Sequence, residues 1–216
     1  LQSLAVYSKL ANEPRFKNYP RMDEVLFYFG YTLDGVKRIT ESRKIFHQLI
    51  KNYPKSKYIP QAYLSFADYF FEKNDLDNAE KFYDKVLQFP KASIYPYGLY
   101  KKGWVYLNQE RPQDALETFF KVVNLTKGKK SAKTINKAAK KDFVRAYAEV
   151  GRAEKAYQAF QRVDKAYSFN MLKILGTIYL DQGQAEKAIF TYRQMISLKG
   201  KDPDVCEWQG NVLNAM

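Results

Sequence analysis

The chain has 216 residues, of which 46% are hydrophobic and 16% aromatic, and 36 Lys and Arg against 23 Asp and Glu give it a net charge of +13. That much apolar material builds a sizeable core and excludes a disordered tail. No run approaches the roughly 18 apolar residues of a membrane span, the opening Leu1-Gln2-Ser3-Leu4 lacks the basic flank of an export signal, and a lone cysteine, Cys206, rules out an internal disulfide or a thiolate-rich metal site.

Residues 1–20 predict a helix or half-repeat, with Ser3, Tyr7 and Leu10 on one helical face. Five helix-turn-helix repeats are expected next, at 23–56, 60–93, 96–126, 137–168 and 169–202, with a basic connector at 127–136 and a partial sixth unit at 203–216. Their register comes from small residues. Gly30, Ala67, Gly103, Val144, Gly176 and Gly210 recur at intervals of 32 to 41 residues, and Ser42, Ala79, Ala115, Ala156 and Ala188 follow the first five by 12 residues every time. A constant offset within a varying period describes rigid hairpins on unequal connectors, the signature of stacked helical pairs.

Large residues keep step with the small ones. Leu33, Phe70, Tyr106, Tyr147 and Tyr179 lie three after the first anchor, and Phe46, Tyr83, Phe119, Phe160 and Tyr192 four after the second. Two helices that cross closely need a small residue at the crossing and large ones around it, so these rings are expected in the core. Val144, bulky where the other anchors are small, sets the fourth repeat apart. Lys73-Asn74-Asp75, Gln109-Glu110-Arg111-Pro112, Gly151 and Gly183 mark the turns within pairs, and Pro54, Pro90 and Pro203 the joints between them.

On these residues, above all Leu26, Phe29, Gly30, Leu33, Ser42, Phe46, Leu49 and Pro54, and then Leu172, Leu175, Gly176, Tyr179, Gly183, Ala188, Tyr192 and Met195, the chain resembles the tetratricopeptide repeat family over nearly its whole length. The resemblance implies an all-α fold, a right-handed α-α superhelix or solenoid of about five helix-turn-helix repeats with partial units at both ends. The connector Tyr53-Pro54-Lys55-Ser56-Lys57-Tyr58-Ile59-Pro60-Gln61-Ala62 is similar to a phrase of bacterial cell-envelope repeat proteins. These include the Tol-Pal-associated coordinator, the lipoprotein of the outer-membrane assembly machine and gliding-motility-associated proteins. That similarity implies a periplasmic or envelope-associated location, with the cytoplasm as the alternative.

In such an array the first helix of each pair lines the concave side, where a partner segment is expected. Counting from the anchors, that face presents Phe27 and Tyr31, then Leu64 and Asp68, then Tyr97, Tyr100, Lys101 and Trp104, then Lys141 and Arg145, and finally Lys173 and Thr177. The early repeats thus offer an aromatic floor and the later ones a basic floor. Tyr and Trp bury much area at little entropic cost, which favours Trp104 as an anchor; the competing expectation is that these rings pack on the neighbouring helix. The chaperone-tail subset of the family holds a terminal carboxylate with repeated Lys and Asn positions. Only Lys141 and Arg145 keep that basic character here, so a complete clamp is not expected.

Lys127, Lys129, Lys130, Lys133, Lys137, Lys140 and Lys141 follow one another with no acid between them. They read either as a solvated stretch or as a contact for an acidic protein, a cell-wall polymer, a lipid headgroup or a nucleic acid. Without interleaved aromatics or arginine, nucleic acid is the least favoured of these. No catalytic residue, metal site or cofactor site is expected: His47 reads as a boundary residue, Cys206 as a packing residue, and Asp75, Asp77 and Asn78 as turn and cap residues. The chain reads as a non-enzymatic scaffold for protein partners.

Overall fold

The computed structural model describes residues 2–216, so Leu1 of the expected N-terminal half-repeat lies outside the described residues. The described residues form α-helices joined by turns: α1 (Gln2–Asn12), α2 (Met22–Gly35), α3 (Ile39–Asn52), α4 (Ile59–Glu72), α5 (Leu76–Leu87), α6 (Tyr95–Asn108), α7 (Pro112–Thr126), α8 (Lys133–Val150), α9 (Ala156–Val163), α10 (Ser168–Asp181), α11 (Ala185–Leu198) and α12 (Val205–Asn214). Five hairpins, α2/α3 to α10/α11, stand between the single helices α1 and α12. The chain divides into two compact units, one up to Gly98 and one from Leu99 onward, and each is a piece of right-handed helix-turn-helix solenoid.

In the first unit the small anchors work as crossings. A Cβ on Gly30 would lie 2.7 Å from Cε1 of Phe46, so the bare backbone of α2 is what lets that ring lie under it. Ser42, fully buried one helix later, donates its hydroxyl to the Gly30 carbonyl at 2.8 Å, which satisfies a polar group inside the core. Around this crossing Leu26, Phe46, Leu49 and Ala62 are sealed from water. Leu4 of α1 closes over Phe29 and Leu33. The connector phrase has structural duties of its own: Tyr58 is buried, and Ser56 donates to the Asp23 carboxylate at 2.6 Å.

The second unit repeats the scheme. A Cβ on Gly103 would meet Cε1 of Phe119 at 2.6 Å, and one on Gly176 would meet the Tyr192 ring at 3.2 Å. Ala115, Ala156 and Ala188 are completely buried beneath the first helices. Val144 is also fully buried, and its hairpin packs through rings instead: Phe143 and Tyr147 of α8 meet Phe160 of α9 edge-on at 6.2 and 5.1 Å.

Four of the five hairpins turn in the same way. A residue in the left-handed region, Lys37, Asn74, Glu110 or Gly183, follows the first helix, and the next amide donates back to the carbonyl of Leu33, Phe70, Tyr106 or Tyr179 at 2.8 to 2.9 Å. This closes the C-terminal carbonyls of each first helix. The fourth hairpin departs from it. Gly151 is extended, the Tyr147 ring lies so close to it that a Cβ would come within 2.2 Å, and a 3-10 turn at Ala153–Lys155 leads into a short α9.

Some expectations are corrected. Cys206 is exposed, and Trp208 is the buried residue of α12. A Cβ on Gly210 would meet nothing within 4 Å. Phe70 and Tyr106 are half-buried rather than core, the latter capped by the Arg111 guanidinium 4.2 Å from its ring. The lysine-rich connector is also shorter than the reading 127–136: after a 3-10 turn at Lys130–Ala132, α8 already starts at Lys133, where Ile135 and Asn136 engage α7.

Candidate functional site

The candidate surface is the face presented by the first helices of the pairs. In the first unit it carries an aromatic platform. Phe27 lies flat on Tyr58 at 4.5 Å and 11°, Tyr31 stacks beyond it at 6.2 Å, and Tyr28 meets it edge-on at 5.2 Å. Tyr31 is 65% exposed and Tyr28 40%, so rings held from behind face water in front. Leu64 is half-buried on α4. Asp68 accepts a hydrogen bond from the Tyr83 phenol at 2.5 Å, and burial together with that carboxylate pushes the Tyr83 pKa far up. Tyr97 is exposed, and its pKa is raised by partial burial and by Asp68 and Glu72.

In the second unit one buried acid organises the site. Asp142 of α8, only 4% exposed, accepts from the Tyr100 phenol at 2.6 Å and from Trp104 Nε1 at 3.2 Å, both on α6. Arg145, one turn on, reaches the same carboxylate at 3.3 Å and lies 5.5 Å from the centre of the Trp104 ring. Burial and Asp142 push the Tyr100 pKa up to about 12. Tyr100 and Trp104 both pack on Phe119 and are half-buried, so their edges are committed to the fold while part of each ring stays open.

The structure therefore brings Tyr100, Trp104 and Arg145 together, and separately Phe27 with Tyr31. Lys101 is half-buried on α6. Lys173 stands apart, in an ion pair with Asp204 at 2.6 Å and 5.0 Å from the Trp208 ring, which docks α12. Lys141 is exposed on α8 in line with Lys133, Lys137 and Arg145, each four residues from the next. Of the lysine run only Lys140 turns inward. It pairs with Asp164, whose burial cost is outweighed by the lysine, so that carboxyl sits below its usual range.

Asp142 escaped the sequence reading, although an acid that ends a run of lysines in Lys140-Lys141-Asp142-Phe143 was a signal. A cavity of about 680 Å³ was also missed. It is lined by Leu107, Glu110, Pro112, Arg145, Glu149, Ile178, Asp181 and Gln182, at the C-terminal ends of α6, α8 and α10. Its acids contradict a purely basic floor in the later repeats: Arg145 shares the lining with Glu149 and Asp181, and Lys173 is paired with Asp204. Among the described residues, no group of three or more His, Cys, Asp or Glu is placed to hold a metal ion, and His47 is exposed.

Family models described as tetratricopeptide repeats match residues 24–56, 60–92 and 174–202, which fall on α2/α3, α4/α5 and α10/α11. These three stretches are tetratricopeptide repeats. Among solved structures the repeat array is similar to YrrB, described as a tetratricopeptide-repeat protein with an unusual peptide-binding site, at 16% identity and a TM-score of 0.58 over 96% of this chain and 99% of that one. A tetratricopeptide repeat protein from Parabacteroides merdae ATCC 43184 is similar at 16% identity and a TM-score of 0.50, over 99% and 92%. Likeness at this level of identity is a likeness of fold. No curated protein sequence matches the repeat array.

Proposed function

We propose that this repeat protein is a non-catalytic scaffold that binds a segment of a partner protein along the face of its first helices. The observation that carries this reading is the open cavity between α6, α8 and α10, which no element of the described chain fills and which Arg145 joins to the Trp104 ring. The exposed platform at Phe27, Tyr28 and Tyr31 supports it, as does the peptide-binding site ascribed to YrrB. Peptides selected from a displayed random library on the intact protein supply the probe. Tyr100→Ala with Trp104→Ala should weaken them by about 2 kcal/mol or more. Because those two rings also serve the fold, Arg145→Ala is the companion variant, its side chain being exposed. Unchanged affinity in both variants would remove the site.

A bacterial envelope complex is the setting we propose, supported by the connector phrase at 53–62; fractionation of the native cells tests it, and recovery in the cytoplasm overturns it. A second reading, binding of an acidic protein, cell-wall polymer, lipid headgroup or nucleic acid, is favoured by the exposed row Lys133, Lys137 and Lys141 with Lys127, Lys129 and Lys130 before it. Salt separates the two readings. Affinity built on phosphate-like contacts falls steeply with ionic strength, whereas ring anchoring changes far less.

A further inference from the structure

The two helices of most hairpins differ in how their end charges meet the helix dipole, with α2, which opens with Asp23 and Glu24, and α9, which opens with no acid, as the exceptions. Second helices match their dipoles: α3 opens with Glu41 and closes with Lys51, α5 opens with Asp77 and closes with Lys85, and α7 and α11 open with Asp114 and Glu186. The first helices α4, α6, α8 and α10 have no acid in the first turn and no base in the last. First helices of both units also carry acids against their dipoles, in the first unit Asp34 in the last turn of α2 and Glu72 at the end of α4. Glu149 sits in the last turn of α8, Asp181 ends α10, and Glu110 follows α6. Charges placed against the helix field are not there for helix stability.

Those three carboxylates line the cavity of about 680 Å³, each at a different helix end, where the carbonyl ends of three helices add negative potential. Arg145 is the one cation in the lining, and its charge is answered by buried Asp142. Glu149 accepts only a neutral amide hydrogen bond, from Gln182 at 3.1 Å, and neither Glu110 nor Asp181 has an ion-pair partner among the described residues. Leu107, Pro112 and Ile178 supply apolar wall beside them. In a chain of net charge +13, a negative cavity is a local reversal.

We infer that this cavity receives a lysine or arginine side chain of the partner segment. The aliphatic stem lies along Leu107 and Ile178, and the cationic head sits among Glu110, Glu149 and Asp181, so that burial of the stem and charge complementarity act together. The inference deepens the scaffold reading and rests on it: the segment bound on this face is basic at this point, although the protein itself is basic.

The test uses the intact protein and peptides it selects from a displayed random library, resynthesised with each Lys or Arg replaced by norleucine. Selection should enrich a basic residue beside an apolar one. Norleucine in the peptide, or Glu149→Gln with Asp181→Asn in the protein, should each weaken binding about tenfold or more, and combining them should cost little further. Acidic or uncharged peptides whose binding is lost with Trp104→Ala would overturn this inference and leave the scaffold reading standing; failure to select any peptide would overturn both. Calcium ions that bind the cavity carboxylates and displace no peptide would show a cation site of another kind and overturn it too.

Discussion

Gly103 shows how much a single hydrogen atom decides. A methyl group there would stand 2.6 Å from Phe119, a ring with no exposure and no room to retreat. Gly103→Ala should therefore lose about 1–3 kcal/mol in urea unfolding followed by circular dichroism. Gly210→Ala is the contrast, since the same methyl meets nothing and α12 gains about 0.8–1 kcal/mol of helix propensity. Asp142 is the other decisive residue. Asp142→Ala strips acceptors from Tyr100, Trp104 and Arg145 and should cost about 3 kcal/mol, with a shift in Trp104 fluorescence, while Asp142→Asn keeps one acceptor oxygen and costs less. Tyr100 also gives alkaline behaviour a sign. Burial, and then Asp142, raise its pKa to about 12, so the fold favours the neutral phenol. Its contribution is whole below about pH 10 and is lost as pH climbs through 12. Thermal unfolding against pH should fall less steeply over that window in Tyr100→Phe.

At the scale of the helix, charges that match the dipole are commoner on second helices than on first ones, although α2 opens with Asp23 and Glu24. Second helices carry the expected caps and pairs: Asp75 accepts from the amide of Asn78, and Arg38 grips Glu41 through two hydrogen bonds of 2.6 Å. The first helices forgo such help at their C-terminal ends. If Asp181 stands against the dipole of α10 for the sake of a ligand, Asp181→Asn should stabilise the protein by about 0.3–1 kcal/mol. Chemical denaturation checks this, and a loss of stability would mean that the carboxylate has a structural role. The fourth hairpin illustrates the reach of sequence reasoning about elements. Val144 flagged a different crossing, but no spacing rule states the extended Gly151 beside the Tyr147 ring or the shortened α9.

The net charge of +13 acts on the whole molecule. Most of the lysines from 127 to 141 face solvent, and their mutual repulsion disfavours the compact state. Adding salt until the Debye length shrinks from about 30 Å to about 8 Å should raise Tm. A fall would instead mean that the surface ion pairs dominate. Within each unit the repeat pattern was legible because it is local. A small residue and a ring at fixed offsets define a crossing between two helices that are neighbours in sequence, so Gly30 with Phe46 and Gly103 with Phe119 could be paired on paper. The candidate surface was legible only in part. Phe27, Tyr31, Trp104 and Arg145 could be assigned to the right helices, yet their partners could not. Sequence alone determined the hairpins, their anchors and the helix that carries each candidate residue. Only the tertiary structure decided that Asp142 holds two rings of α6, that Lys173 is spent on Asp204, and that three acids meet at one cavity. The reason is distance along the chain: those contacts join residues 31 to more than 40 positions apart, and the length and tilt of the intervening helices fix which side chains arrive together.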